Sequence, residues 1–137
     1  MPGGAVRRTS AAAAADVPAP GAAQTVLDSA TINDLRRIGG SEALFRRVLD
    51  LFAGRVPQAV DKLQAMGSAE DREALADAAH ALKSMCANIG ALRAVSACDE
   101  LELAARTQAD FELGTKLSAI VREVRLTLNE VERLRAA

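Results

Sequence analysis

His80 is the only histidine in a chain of 137 residues, and it stands in the run DREALADAAHALKSMCANIG, from Asp71 to Gly90. Apolar residues recur there at Leu75, Ala78, Leu82, Met85 and Ile89, in the alternating steps of three and four that mark a helix with one buried stripe. At about 100° of rotation per residue, the stripe gathers on one side and His80 points away from it. The ring is expected on the solvent face, beside Glu73, Ala76, Asp77, Lys83, Ser84 and Ala87. Lys83 follows at i+3 and Ser84 at i+4, spacings at which helical side chains are neighbours. An exposed imidazole with a cation on one flank and small residues around it has a place for a ring-bound anion and room for a partner. From spacing alone, the plainer account of the same residues is a solvated helical face with one incidental histidine.

An imidazole can act as a general base, a metal ligand or a nucleophile. A base or acid needs a pocket that holds a substrate, which an exposed helix face does not supply. A metal needs more ligands. There is no second histidine, the two cysteines (Cys86 and Cys98) lack a histidine cluster, and Asp77 beside a lysine makes a poor cation site. No metal is expected. Nucleophilic use remains, since the neutral imidazole is a good nucleophile. Nothing in the chain would activate a phosphate donor: it has no glycine-rich phosphate loop, no Walker lysine and no carboxylate pair set for Mg²⁺. Any catalyst would have to be borrowed.

The string His80-Ala-Leu-Lys83-Ser84, followed by Gly90 and then by Cys98-Asp-Glu-Leu101-Glu102, resembles the histidine phosphotransfer (HPt) domain family. The pattern there is H-x-L-K-G, a short small or apolar run, G, and a helix bearing C-x-x-L-E. The likeness reaches upstream to Asp71 and to the helix of Phe45 and Phe52. It departs at Ser84, where the family usually has glycine; serine is still small, so access to the ring should survive.

The resemblance implies a phosphocarrier without catalytic activity of its own, free-standing or part of a larger hybrid sensor kinase. His80 would take a phosphoryl group on Nε2 from the phospho-aspartate of a response-regulator receiver domain and pass it to another receiver aspartate. Lys83, with Ser84 beside it, would support the phosphoryl oxygens. Glu73, Ala76, Asp77 and Ala87 would form the receiver-docking face, with Ile32 and Leu35 adding apolar surface, and Gly90 would be structural. No cofactor of its own is implied, and Mg²⁺ belongs to the partner receiver. The implied partners are receiver domains and a hybrid sensor histidine kinase, and the implied state is a monomer. Two alternatives stand beside this. One is the phosphoacceptor domain of a chemotaxis-type or hybrid kinase, which shares H-x-L-K. The other is a docking module for receivers that is never phosphorylated. Dimerisation-type kinase helices read H-E with a proline soon after, whereas Ala81 follows His80 here and no such proline does.

The elements that must position His80 are all helical by pattern. Residues 1–23 are Ala, Pro and Gly with scattered polar groups and read as a disordered tail or linker, leaving 24–137 as one domain. Thr31-Ile-Asn-Asp34 resembles a capping box opening a short helix with Ile32, Leu35 and Ile38, which Gly39-Gly40 ends. Ser41 caps a helix from Glu42 to about Met66, with Leu44, Phe45, Val48, Leu51, Phe52, Val56, Val60 and Leu63 inward and a kink or break expected near Gly54 and Pro57. Gly67-Ser68 turns the chain, and Ser68 is a candidate cap for the His80 helix. A fourth helix from Ala91 to about Arg106 turns Ala91, Ala94, Val95, Cys98, Leu101 and Ala105 inward. Asp110 is the candidate cap of a fifth, whose stripe is Leu113, Leu117, Ile120 or Val121, Val124, Leu128, Val131 and Leu134. Strand alternation is missing. Short links between long amphipathic helices predict an all-α protein: an antiparallel up-down four-helix bundle with a short additional N-terminal helix.

Composition narrows the partners. Hydrophobic residues make up 50% of the chain and aromatics only 2%, so a deep aromatic-lined small-molecule pocket is not expected. Net charge is −1 and basic residues are not interleaved with aromatics, which argues against nucleic acid. No apolar run is long enough to span a bilayer. Arg7 and Arg8 precede an alanine run, but the proline-rich stretch after it supplies no signal-peptide core. Two small thiols suit a reducing, cytoplasmic setting, where buried free cysteines are commoner than a disulfide.

Overall fold

The computed structural model describes residues 25–66, 71–107 and 112–137. The proposed tail, the Gly67-Ser68 turn and Asp110 lie outside the described residues. Five helices follow one another: α1 (Ser29–Gly39), α2 (Glu42–Ala65), α3 (Arg72–Asn88), α4 (Leu92–Thr107) and α5 (Leu113–Ala136). No strand occurs among the described residues. Helix α2 packs on α3, α3 on α4, α4 on α5 and α5 back on α2, closing a four-helix bundle, while α1 lies against α2. The most extensive of these pairings is α3 with α4.

Helix starts are set by local side-chain acceptors. Asp28, not Thr31, caps α1: its carboxylate accepts from the Thr31 backbone N–H at 3.1 Å and from the Thr31 hydroxyl at 2.7 Å. The helix therefore begins earlier than the capping-box reading has it, with Thr31 inside its first turn. Ser41 caps α2 as expected, accepting from Leu44 N–H. Asp71 caps α3 through Ala74 N–H at 3.0 Å, the role expected of Ser68. Glu112 occupies the cap position of α5 without a side-chain bond to it.

Gly40 takes a left-handed φ of 71° at the end of α1. Helix α2 then runs unbroken through Gly54 and Pro57, so the break expected there does not occur.

The buried face of α2 is Phe45, Leu49, Phe52, Val56, Val60 and Leu63, which corrects the expected stripe. Leu49 is in the core, whereas Leu44 and Leu51 are each 51% exposed. Leu75, Leu82, Ile89, Leu101, Ile120 and Val131 are fully buried with Leu49, Val56 and Leu63. Between them, α3 and α4 bury mostly small groups: Ala76, Ala79, Cys86, Ala94, Cys98 and Ala105. Small side chains let two backbones approach, which suits the pair with the most extensive contact. Both cysteines are free thiols, and a hydrogen bond with Cys86, together with burial, pushes the Cys98 thiol up.

The α3–α4 turn is pinned to α1. Gly90 has φ +75°, and a Cβ there would lie 2.7 Å from the Thr31 Cβ. Its carbonyl accepts from Asp28 N–H at 2.8 Å and from Leu92 N–H at 2.9 Å. Left-handed backbone and close approach both require glycine here.

Candidate functional site

Along the shared edge of α3 and α4, each helix places polar residues at helical spacing: Asp77, His80 and Lys83 on one, Asp99, Glu102 and Arg106 on the other. Glu102 is the centre. Its side chain is only 12% exposed, and a carboxylate so placed must be matched by donors. Three reach it. Lys83 Nζ lies 2.7 Å from Oε1, His80 Nδ1 lies 3.0 Å from Oε2, and Arg106 Nε lies 3.2 Å from Oε2. The Lys83 hydrogen bond, joined by those from His80 and Arg106 and opposed by burial, lowers the Glu102 carboxyl to about 2.

That charge decides the state of the ring. An ionised carboxylate only accepts hydrogen bonds, so the proton in the contact with His80 belongs to Nδ1. In the neutral ring, Nε2 then keeps its lone pair. The imidazole side chain is 55% exposed, with Nδ1 turned to Glu102 and the opposite edge available to a partner. Fixing one nitrogen to orient the other is the device by which a carboxylate prepares a reacting histidine.

The two cations are held rather than loose. Lys83 also pairs with Asp99 Oδ1 at 3.0 Å, and its hydrogen bonds to Glu102 and Asp99 push its pKa up. An ammonium has three donors, so one remains for an incoming anion. Arg106 reaches back to Asp77 Oδ1 at 3.1 Å, and bonds to Asp77 and Glu102 raise its pKa. His80 is thus flanked by positive groups fixed in place by carboxylates.

The residues expected from sequence are not all at the surface. Glu73, Asp77, Ser84 and Ala87 are exposed. Ala76 is fully buried and offers no docking surface, because the inward face of α3 centres on Leu75, Ala79, Leu82 and Cys86 rather than on Ala78 and Met85. Ile32 is likewise buried in the core and Leu35 packs half-buried against it, while Ile38 of the same helix is 76% exposed. Neither Ile32 nor Ala76 can therefore belong to a docking face. In the other direction, sequence reasoning assigned no role to Asp99, Glu102 or Arg106. Their steps of three and four match those of Asp77, His80 and Lys83, and that shared period is the signal that could have paired them. Among the described residues, no group of His, Cys, Asp and Glu side chains has the arrangement of a metal site.

A model of the Hpt domain family matches residues 47–137 of the chain. No curated protein matches it. Among solved structures, the crystal structure of histidine-containing phosphotransfer protein B (HptB) from Pseudomonas aeruginosa PAO1 is similar, with a TM-score of 0.76 and 24% identity over 83% of this chain and 97% of that one. The X-ray structure of a rice protein assigned as a histidine-containing phosphotransfer protein is also similar, with a TM-score of 0.68 and 14% identity over 82% of this chain and 84% of that one. At such identities the likeness establishes the fold.

Proposed function

The chain belongs to the Hpt domain family, whose role is histidine phosphotransfer in phosphorelays, and from that we propose that His80 relays a phosphoryl group between two receiver aspartates. The observation that carries this is the Nδ1–Glu102 contact at 3.0 Å on an exposed ring, which leaves Nε2 as the nucleophile.

The Nε2 lone pair attacks the phosphorus of a receiver phospho-aspartate. The N–P bond forms as the P–O bond to the carboxylate breaks, and the aspartate leaves as carboxylate. No proton needs to move, since the Nδ1 proton stays on its bond to Glu102. The phosphorylated ring carries positive charge, and the adjacent carboxylate stabilises it. The remaining Lys83 donor offers a contact to the phosphoryl oxygens, and Ser84 and Ala87 leave space for the partner. In the second half, another receiver aspartate attacks the same phosphorus and the lone pair returns to Nε2. Any Mg²⁺ would be held by the receiver, where it would supply charge neutralisation for the transferring group; the carrier supplies the aligned nitrogen and the fixed cations around it.

The test mixes the chain, and separately a His80→Gln variant, with several radiolabelled phospho-receivers and Mg²⁺. Label stable to base, labile to acid and absent from the variant is the expected result. A chain that binds receivers and is never labelled, or label that persists in the variant, overturns the proposal.

A further inference from the structure

Two carboxylates hold the Lys83 ammonium, and they lie at different depths. Glu102 Oε1 is 2.7 Å from Nζ, on a side chain 12% exposed. Asp99 Oδ1 is 3.0 Å from Nζ, on a side chain 61% exposed. The inner carboxylate also takes the His80 Nδ1 contact at 3.0 Å and so serves the ring. The outer one is joined to the lysine and gives the ring no orientation. Nor is it needed to aim Lys83, since Glu102 already fixes the ammonium at the shorter distance.

Asp99 also adds to an imbalance of charge. The polar edge of α3 and α4 has three carboxylates, Asp77, Asp99 and Glu102, against two permanent cations, Lys83 and Arg106. It carries an excess of negative charge before any phosphoryl group arrives. Phosphorylation at Nε2 places a positive charge on the ring and about two negative charges on the phosphoryl oxygens. Glu102 is matched to the ring charge. Asp99 is matched to neither: it occupies a donor of the ammonium that would neutralise those oxygens, and it stands with them on the solvent side. Two anions there compete for one cation and repel each other.

We propose that Asp99 sets the balance of the relay. By competing with the phosphoryl group for Lys83, it lowers the share that rests on His80 and favours transfer onward to a receiver. Glu102 prepares uptake and Asp99 promotes release, both through contacts made by one lysine. The inference rests on the relay reading above for the reaction; it concerns where the phosphoryl group comes to rest, not how fast it moves.

The measurement is an equilibrium ratio. Native chain, Asp99→Asn and Asp99→Ala are each brought to equilibrium with a radiolabelled phospho-receiver and Mg²⁺, starting from either side, and the label on each protein is counted. Docking strength cancels from the constant between free species, so a role in docking alone would not move it. Asp99→Asn is expected to raise the ratio of phospho-carrier to phospho-receiver about two- to fivefold, the reach of one partly exposed charge pair. The rise should shrink as salt is added. Asp99→Ala, which also frees the Lys83 donor, should raise the ratio at least as far. Glu100→Gln is the control: it removes one charge from the same helix, but Glu100 turns to Lys116 of α5 at 3.7 Å and should leave the ratio unchanged. An unchanged or lowered ratio in either Asp99 variant, or an equal rise in Glu100→Gln, would overturn the proposal. A second arm needs no receiver: labelled phosphoramidate at a fixed ammonia concentration partitions its phosphoryl group between ammonia and His80. The P–N bond of phosphoramidate breaks as the Nε2–P bond forms, and ammonia leaves. A native chain labelled by phosphoramidate but by no receiver would remove the relay reading, while the Asp99 comparison would still be decided by this partition.

Discussion

Glu102 does three things at once: it selects the ring tautomer of His80, anchors Lys83 and holds Arg106. Removing it should therefore affect the reaction more than the fold. Glu102→Ala is expected to slow phosphoryl uptake by at least about 10- to 100-fold, the range seen when a carboxylate that orients a metal-bound imidazole through its far nitrogen is removed. Glu102→Gln keeps an acceptor oxygen and should lose less. Nitrogen NMR of the His80 ring separates orientation from mere support. The native protein should show Nδ1 protonated, and the alanine variant a mixture of tautomers; an unchanged tautomer in a folded alanine variant would contradict this role. The same carboxyl links stability to pH. Its value falls from 4.5 to about 2 on folding, so the folded state favours the charged form. The resulting stabilisation is complete above pH 4.5 and disappears as pH falls through about 2. Urea titrations of native protein and Glu102→Gln should accordingly converge across that window. Of this centre, His80 and Lys83 were legible in the sequence through the H-x-L-K string, whereas their spacing alone fitted an incidental histidine as well. Glu102 stood there only as the last residue of C-x-x-L-E, and its contact with His80 was not legible, because a carboxylate beside Leu101 gives no sign of burial until the helix that faces it is known.

At the scale of elements, what a sequence reveals depends on whether a residue has one possible structural role or several. Ser41 and Gly40 have one each and stand where expected. Asp28 and Thr31 can both cap a helix, and Asp28 takes the position because its carboxylate reaches both the backbone N–H and the hydroxyl of Thr31. Alanine suits either face of a helix, which is why the period around His80 left Ala76 on the wrong side. Along α2, Leu44, Leu49 and Leu51 compete for the inward face, and only the positions of α3 and α5 choose among them. Gly90 shows the opposite case, where local and tertiary demands agree. Gly90→Ala places an L residue at positive φ, at a cost of about 1–2 kcal/mol, and also drives a Cβ onto Thr31. We expect the total loss in chemical denaturation to exceed that conformational cost, with the α1 amides losing protection from hydrogen exchange. A loss confined to about 1 kcal/mol, with α1 protection unchanged, would mean that α1 moves aside freely.

Across the whole molecule, the core and the surface ion pairs have different tasks. The bundle is held by Leu49, Leu63, Leu75, Leu82, Ile89 and Leu101, all 0–1% exposed, and the small-residue seam of α3 and α4 sets the distance over which Glu102 can reach His80. The clasp between α2 and α5 is mostly exposed: Arg135 meets Asp50 at 2.8 Å, while Arg46 donates to main-chain oxygens of Arg135 and Ala137. Exposed pairs of this kind are screened and contribute little, so Asp50→Ala should barely move the melting temperature. Leu82→Ala opens a cavity beneath the residue that precedes Lys83, at a cost of about 2–5 kcal/mol. Stability and reactivity should then separate by depth rather than by distance along the chain. Assayed well below its melting point, Leu82→Ala should still accept phosphate, but more slowly if α3 relaxes into the cavity and lengthens the reach from Glu102 to His80. Ring-nitrogen spectra of the same variant decide whether that happens. An unchanged Nδ1 signal alongside a full transfer rate would show that the polar network, rather than the packing below it, keeps the two helices in register at the site.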